Sequence, residues 1–287
     1  MTTTLKLWSS TIKTTFTNLA ALIVFAILYA LLLVSAYFFI ATREATVWQV
    51  IVTYALLILL PAEFFIFQAS IIGQALDGRF NWHAIIVNAF KCFVVTIPVV
   101  LLAWGIYLLL NKWQLRYPPP VLVLSAPAVP PKSQPMHWPT LIFGTLRFVI
   151  FGVALPLAAI HLWIEVTACN LRESLRSGGK AIVSRLGRRF SGAFASESVL
   201  IYALGLIVLF ALPYVILVPT FAIKNNKTEF GVFILRLLVS FVLTLIGWVV
   251  TVSALAKNTS PAPKARHVVA PGVSPGAPTI SEVPSPL

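Results

Sequence analysis

The sequence predicts an all-α integral membrane protein, and three observations lead to this fold class. First, 59% of the residues are hydrophobic and only 10% are charged, whereas soluble domains contain about 45–50% apolar and about 25% charged residues. Second, six apolar stretches are long enough to cross roughly 30 Å of hydrocarbon as helices. Third, none of these stretches alternates as a β-strand does, so helices are the spanning structure that remains. A soluble globular domain is therefore excluded.

The six predicted spans follow one another with connections of very different length. They cover residues 19–41, 47–72, 92–110, 140–168, 198–222 and 230–256. The connections at 41–47 and 222–230 are short, so the helices that they join are antiparallel neighbours. We therefore expect residues 1–256 to form a six-span bundle made of three consecutive antiparallel hairpins.

The first span has two lysines before it and resembles a signal peptide at first sight. Val34-Ser35-Ala36 has the small residues of a cleavage site. The apolar run is longer than the 7–15 residues typical of a signal core, and it continues past this site. We expect it to remain as an uncleaved membrane span.

Fifteen of the 20 prolines fall in two segments outside the spans, 111–139 and 257–287. Such segments are extended or disordered rather than folded. The sequence thus predicts a Pro-rich outer loop at 111–139 and a disordered Pro-rich tail at 257–287. The third long connection, 169–197, is basic and is predicted to be a cytoplasmic loop.

The distribution of Lys and Arg predicts how the chain is oriented. Thirteen of these residues lie on the side of the N-terminus, in residues 1–18, 73–91, 169–197 and 257–287, and six lie on the other side. Cytoplasmic loops carry the excess of positive charge. Both termini are therefore expected in the cytoplasm, and the membrane is expected to be a plasma membrane of the bacterial type.

Each hairpin has a candidate amphipathic segment before it. Trp8/Ile12/Phe16, Trp82/Ile86/Phe90 and Ile182/Leu186/Phe190 share a spacing of four residues, which places each triplet on one helix face. The first two segments fit either an interfacial helix or the start of the following span. The third carries four cations on its other face, which favours a helix at the bilayer surface in contact with anionic lipid. Those cations are Lys180, Arg185, Arg188 and Arg189.

Polar residues inside the spans give a candidate site. Glu63 lies near the middle of the second span, too deep to reach the surface, and Arg147, His161 and Glu165 share one stripe of the fourth span. A charged group at this depth faces a bundle interior, a cavity or a partner. The functional interpretation is a polar path or a proton-responsive pair of a Glu and a His. The structural interpretation is a neutral or paired Glu63, with Arg147 and Glu165 reaching the two surfaces.

The partner of a paired Glu63 is expected on the Arg147 edge of the fourth span. The helix rise places Arg147 about 14 Å closer to the surface, so water or a nearer group is an equal alternative.

The sequence contains no pattern of a known catalytic or metal centre. Gly179-Lys180 lacks the remainder of a phosphate-binding loop, His161 and Glu165 do not form the zinc motif HExxH, and the serine motif GxSxG is absent. The two cysteines form neither a CxxC pair nor a predicted disulfide. We expect no enzyme activity, no cofactor and no metal.

Two function classes remain. The first is a membrane-embedded scaffold or accessory subunit that contacts anionic lipid at the cytoplasmic face, with protein partners or further copies of the chain as binding candidates. The alternative is a transporter or permease subunit that uses the polar edges of the second and fourth spans. The net charge of +13 is attributed to a membrane surface rather than to nucleic acid.

Overall fold

Helices account for nearly all residues that the computed structural model describes, which are 2–42, 46–118, 137–169, 187, 192–218 and 226–259. No strand occurs among them. Six helical stretches within these residues are long and apolar enough to cross a membrane. The predicted fold class, an all-α protein with six membrane helices, is confirmed at this level.

The first three spans are continuous helices, and a separate helix precedes them. The bounds are α1 Thr2–Thr17, α2 Leu19–Ala41, α3 Val47–Asp77 and α4 Trp82–Gln114. Polar side chains fix where these helices start, because the first backbone N–H groups of a helix need acceptors. The side chains of Asn18, Thr46 and Asn81 each accept the N–H three residues further on. Gly78, with a φ of 69°, ends α3 in the left-handed conformation.

The fourth and fifth spans are each interrupted by a π-helical stretch, and the sixth is again continuous. The fourth consists of α5 Trp138–Arg147, π1 Phe148–Ala154 and α6 Leu155–Ala168. The fifth consists of α7 Ser196–Leu206, π2 Ile207–Ala211 and α8 Leu212–Leu217. The sixth span is α9, Asn226–Thr259.

Each π-helical stretch precedes a proline that is the second residue of the next helix. The sequence Ala-Leu-Pro stands at 154–156 and again at 211–213. Proline has no backbone N–H, so Pro156 cannot donate to the carbonyl of Gly152 as an α-helix requires. The hydroxyl of Tyr202 on α7 donates to that carbonyl at 3.0 Å. The fifth span thus satisfies a backbone group that the proline leaves open in the fourth.

Two helices extend well beyond the spans that the sequence predicted. α3 continues to Asp77 and α4 starts at Trp82, where predicted spans ended at residue 72 and began at residue 92. At 1.5 Å per residue, α4 is about 50 Å long, more than the hydrocarbon core needs. The triplet of Trp82, Ile86 and Phe90 lies in the first turns of α4, so this segment continues directly into the third span.

The other two amphipathic segments differ in what the structure describes. The triplet of Trp8, Ile12 and Phe16 lies in α1, which is separated from α2 by Asn18. The third segment, 182–190, falls almost entirely outside the described residues. An interfacial position of these segments stays a prediction.

The buried core lies toward one end of the bundle. It uses the first turns of α2, α4 and α7 together with the last turns of α3, α6 and α9. We call this the basal end; it also holds the junction of α1 with α2. Large apolar side chains toward the opposite end are exposed, as at Trp104 of α4 and Phe233 of α9. Those side chains have the character of a surface that faces lipid.

Candidate functional site

Glu63 is buried between the first two spans and has a hydroxyl as its partner. Only 7% of its surface is exposed, and its Oε1 accepts a hydrogen bond from Ser35 Oγ of α2 at 3.0 Å. Its Oε2 has no hydrogen-bond partner among the residues that the structure describes. Sequence reasoning singled out Glu63 for its depth. It did not connect Glu63 with Ser35, which attracted notice only as part of a possible cleavage site.

A second buried polar contact joins α3 to the last span, and sequence reasoning missed both partners. Gln68 is fully buried, and its Oε1 accepts from Trp248 Nε1 of α9 at 2.9 Å. Its Nε2 has no partner within the described part of the chain. Five residues at 100° each place Gln68 about 140° around the helix from Glu63. The polar groups of α3 therefore face two different neighbours.

Arg147 lies far from Glu63 along the bundle and binds another residue. Its Nη2 donates to Asn111 Oδ1 near the end of α4 at 2.6 Å. Two side-chain hydrogen bonds thus involve different helix pairs, α4 with α5 for Arg147 and α2 with α3 for Glu63. The hydrogen-bond partner of Glu63 is therefore a nearer group, Ser35, and not Arg147, whose side chain contacts Asn111.

His161 and Glu165 lie on α6, as their spacing predicted, but in different surroundings. His161 is 2% exposed and belongs to the buried stretch Leu157–Ile164. Glu165 is half-buried near the basal end, and its Oε1 accepts from Cys169 Sγ at 3.5 Å. The hydrogen bonds named above join Glu63, Arg147 and Glu165 to three different partners and not to one another.

Further polar contacts join the third and fourth spans. Trp163 Nε1 donates to Thr96 Oγ1 at 2.7 Å, and Cys92 Sγ lies 3.8 Å from Thr167 Oγ1. Lys91 Nζ lies 3.4 Å from the carbonyl oxygen of Cys169. Trp163 also packs edge-on against Phe64 of α3, with ring centroids 5.8 Å apart. In this region the polar groups cross-link helices within an aromatic core.

The predicted lipid-contact residues Lys180, Arg185, Arg188 and Arg189 lie outside the described residues. Their role in binding anionic lipid stays a prediction.

Two cavities differ in their chemistry. The larger, about 950 Å³, lies between the fourth, fifth and sixth spans and is apolar, with both π-helical stretches in its wall. The smaller, about 270 Å³, lies at the basal end and is lined mainly by polar residues of α1, α2, α3 and α9. Among the described residues, no group of three or more His, Cys, Asp or Glu side chains could hold a metal ion.

The fold and the site together define a class: a six-span helical membrane protein whose buried polar groups link its helices. No protein-family model, no curated protein and no solved structure matches the chain.

Proposed function

We propose that the protein is a non-enzymatic membrane scaffold or accessory subunit, with both termini in the cytoplasm. The observation that carries this proposal is the use of the buried polar groups. Ser35 with Glu63, Gln68 with Trp248, Thr96 with Trp163 and Gly152 with Tyr202 each join two spans. Small and polar residues link membrane helices in this way where a bundle is built for packing.

The three-hairpin arrangement belongs to this proposal. Its support is the composition of the core, which combines the first turns of α2, α4 and α7 with the last turns of α3, α6 and α9. Such a core arises when successive spans alternate in direction. The basal end is then the cytoplasmic end, where the positive charges of the sequence are concentrated.

The binding partners in this proposal are anionic lipid and proteins that recognise the basic loop. The support is the charge of residues 169–197, which contain six Lys and Arg residues. Near a membrane surface each cation contributes about 1 kcal/mol of attraction to anionic lipid. The exposed apolar faces at the end opposite the basal end are available for contact with a protein partner or a second copy of the chain.

The test compares two variants that lose the same charge. Arg185, Arg188 and Arg189 are replaced by Gln in one variant, and Lys112, Arg116 and Lys132 in the other. The full chain is reconstituted in nanodiscs that contain phosphatidylglycerol and phosphatidylcholine, and the co-purified lipid is quantified by mass spectrometry. We expect loss of phosphatidylglycerol enrichment only in the first variant. Equal enrichment in wild type and both variants contradicts the proposed lipid contact.

A second candidate function, transport, has one observation in its favour. Glu63 Oε2 and Gln68 Nε2 are buried without a hydrogen-bond partner among the described residues, so part of the polar surface of α3 remains available to water or a solute. Against transport of a hydrophilic solute, the cavity of about 950 Å³ between the fourth, fifth and sixth spans is apolar.

Glu63→Gln distinguishes the two functions. The amide keeps the shape and an acceptor for Ser35 while it removes the ionisable group. A neutral structural Glu63 predicts a change in unfolding free energy below about 1 kcal/mol, and a paired carboxylate predicts a loss of roughly 1–3 kcal/mol, measured by loss of helical circular dichroism on heating in detergent. Normal folding combined with loss of proton-coupled uptake in proteoliposomes would establish transport instead. Ser35→Ala is the companion variant, since it removes the hydroxyl and leaves the carboxyl group in place.

A further inference from the structure

The small cavity at the basal end brings one lysine together with polar groups from four helices. Its polar lining comes from Thr14 and Thr15 of α1, Asn18 before α2, Gln74 of α3, and Ser253 and Lys257 of α9. Lys257 is half-buried, and its Nζ donates to Thr14 Oγ1 at 3.0 Å. An ammonium group has three N–H donors. One is used by Thr14, so two remain for a bound molecule.

The other polar groups in the wall include both donors and acceptors. Asn18 Oδ1 already accepts from Ala21 N at 3.1 Å, which leaves the amide nitrogen of this side chain facing other partners. The hydroxyl protons of Thr14 and Thr15 are directed to the carbonyl oxygen of Thr11. Ser253 is 7% exposed and lines the cavity with its hydroxyl group. A molecule that satisfies Asn18, Ser253 and Lys257 must supply acceptors, whereas Gln74 Oε1, which is buried without a hydrogen-bond partner among the described residues, needs a donor such as a glycerol hydroxyl or a water molecule.

The charge around the cavity favours an anion. Lys13 and Arg79 stand next to the lining residues Thr14 and Gly78 in the sequence, and both are exposed. Asp77 is the acidic residue beside Arg79. The described charges in this neighbourhood are therefore three positive, from Lys13, Arg79 and Lys257, and one negative. The N-terminus of α2 adds a positive partial charge at this end and the last turns of α1, α3 and α9 add negative ones, so the preference for an anion comes from the side-chain charges. A volume of about 270 Å³ accommodates a phosphate group with room for a glycerol or water.

We propose that this cavity, the basal pocket, binds a phosphate group through Lys257, Asn18 and Ser253. The pocket lies where the spans end, at the depth of lipid headgroups, so the phosphate belongs either to a phospholipid or to a soluble phosphate ion. This proposal rests on the proposed function, because it adds a defined lipid-headgroup site to a protein whose basic loop contacts the same membrane surface.

The experiment uses the full chain in detergent, with binding followed by native mass spectrometry. The two probes are a short-chain phosphatidylglycerol and inorganic phosphate, each titrated separately and then in competition. We expect Lys257→Gln and Ser253→Ala each to weaken binding, Lys257→Gln by about tenfold, the effect of losing one charge-assisted hydrogen bond. Lys13→Gln is the matched control, since it removes the same charge next to the pocket without removing a lining group.

The outcomes separate this proposal from the proposed function. Binding of phosphatidylglycerol that phosphate displaces establishes a phosphate pocket, and binding of the lipid alone assigns the site to a headgroup with its chains. Equal binding by wild type, Lys257→Gln and Ser253→Ala overturns the pocket. If the triple Gln variant at 185, 188 and 189 still loses lipid in that case, the proposed function stands without the pocket. Loss of helical signal in Lys257→Gln is checked by circular dichroism, and Ser253→Ala then decides.

Discussion

At the scale of single residues, the buried polar groups stabilise particular helix pairs. The contact of Gln68 with Trp248 shows the physical reason. An amide buried in an apolar interior costs free energy unless its hydrogen bonds are made, because neither lipid nor the core replaces water as a partner. The indole N–H of Trp248 supplies one bond at 2.9 Å, and its ring fills the space beside α3.

We predict that Trp248→Phe destabilises the protein by roughly 1–3 kcal/mol, because the phenyl ring keeps most of the packing but leaves Gln68 Oε1 without a donor. The measurement is thermal loss of helical circular dichroism in detergent. Trp104→Phe is the matched control, since Trp104 on α4 is 61% exposed and should tolerate the change. Equal stability of the two variants would show that the bond to Gln68 contributes nothing measurable.

Sequence reasoning could locate a buried carboxyl group but not its partner. Depth within an apolar run singles out Glu63, because the arithmetic of helix rise needs no knowledge of neighbouring helices. Ser35 precedes it by 28 residues in another span, and their meeting depends on how α2 and α3 rotate against each other. Gln68 was missed for a related reason. It lies off the edge that Glu63 defines, and its role follows from the proximity of α9.

At the scale of helices, the packing of the fifth span on the sixth depends on the absence of a side chain. A Cβ built on Gly205 of α7 would overlap Thr251 Oγ1 and lie 2.7 Å from Thr251 Cγ2. Gly247 stands one turn before Thr251, and a Cβ there would lie 3.2 Å from the backbone nitrogen of Leu209. Small residues at this spacing let the backbones of membrane helices approach closely.

We predict that Gly205→Ala destabilises the bundle by about 1–3 kcal/mol, the usual cost of forcing extra volume into a packed contact. The comparison is Gly105→Ala on α4, where an added Cβ meets nothing within 4 Å. That change should be neutral or slightly favourable, because Ala is the better helix former. Thermal unfolding of both variants in the same detergent checks the prediction. A Gly205→Ala variant as stable as Gly105→Ala would mean that α7 and α9 separate readily.

Hydropathy predicted the fourth and fifth spans but could not predict their π-helical stretches. The apolar runs at 140–168 and 198–222, with prolines expected to kink them, predicted two spans but not their π-helical stretches, because hydropathy measures length and composition rather than hydrogen-bond register. The repeated Ala-Leu-Pro at 154–156 and 211–213 was the available signal. A proline inside a span opens the helical hydrogen-bond pattern, and in the fourth span Tyr202 completes it.

At the scale of the whole molecule, the distribution of charge and the location of the core point to the same end. The core residues lie at the basal end, where Lys257 and the basal pocket are also found. The sequence assigns thirteen Lys and Arg residues to that side of the membrane and six to the other side. By the positive-inside rule we expect the basal end to face the cytoplasm and the opposite end, with its exposed apolar side chains, to face the other way.

The orientation is tested with single cysteines placed on the two sides. In a background with Cys92→Ser and Cys169→Ser, Ser133→Cys and Ser177→Cys are each exposed to a membrane-impermeant maleimide in sealed cells. We expect residue 133 to react in intact cells and residue 177 only after permeabilisation, because the charge difference keeps the 169–197 loop inside.

Ser10→Cys on α1 is the control within the described residues, and it should behave like residue 177. Labelling of 133 and 177 from the same side would contradict the single crossing, by the fourth span, that separates the 111–139 loop from the 169–197 loop. Inverted labelling of all three would keep the hairpins but place the basic face, and with it the proposed lipid contact, outside the cell.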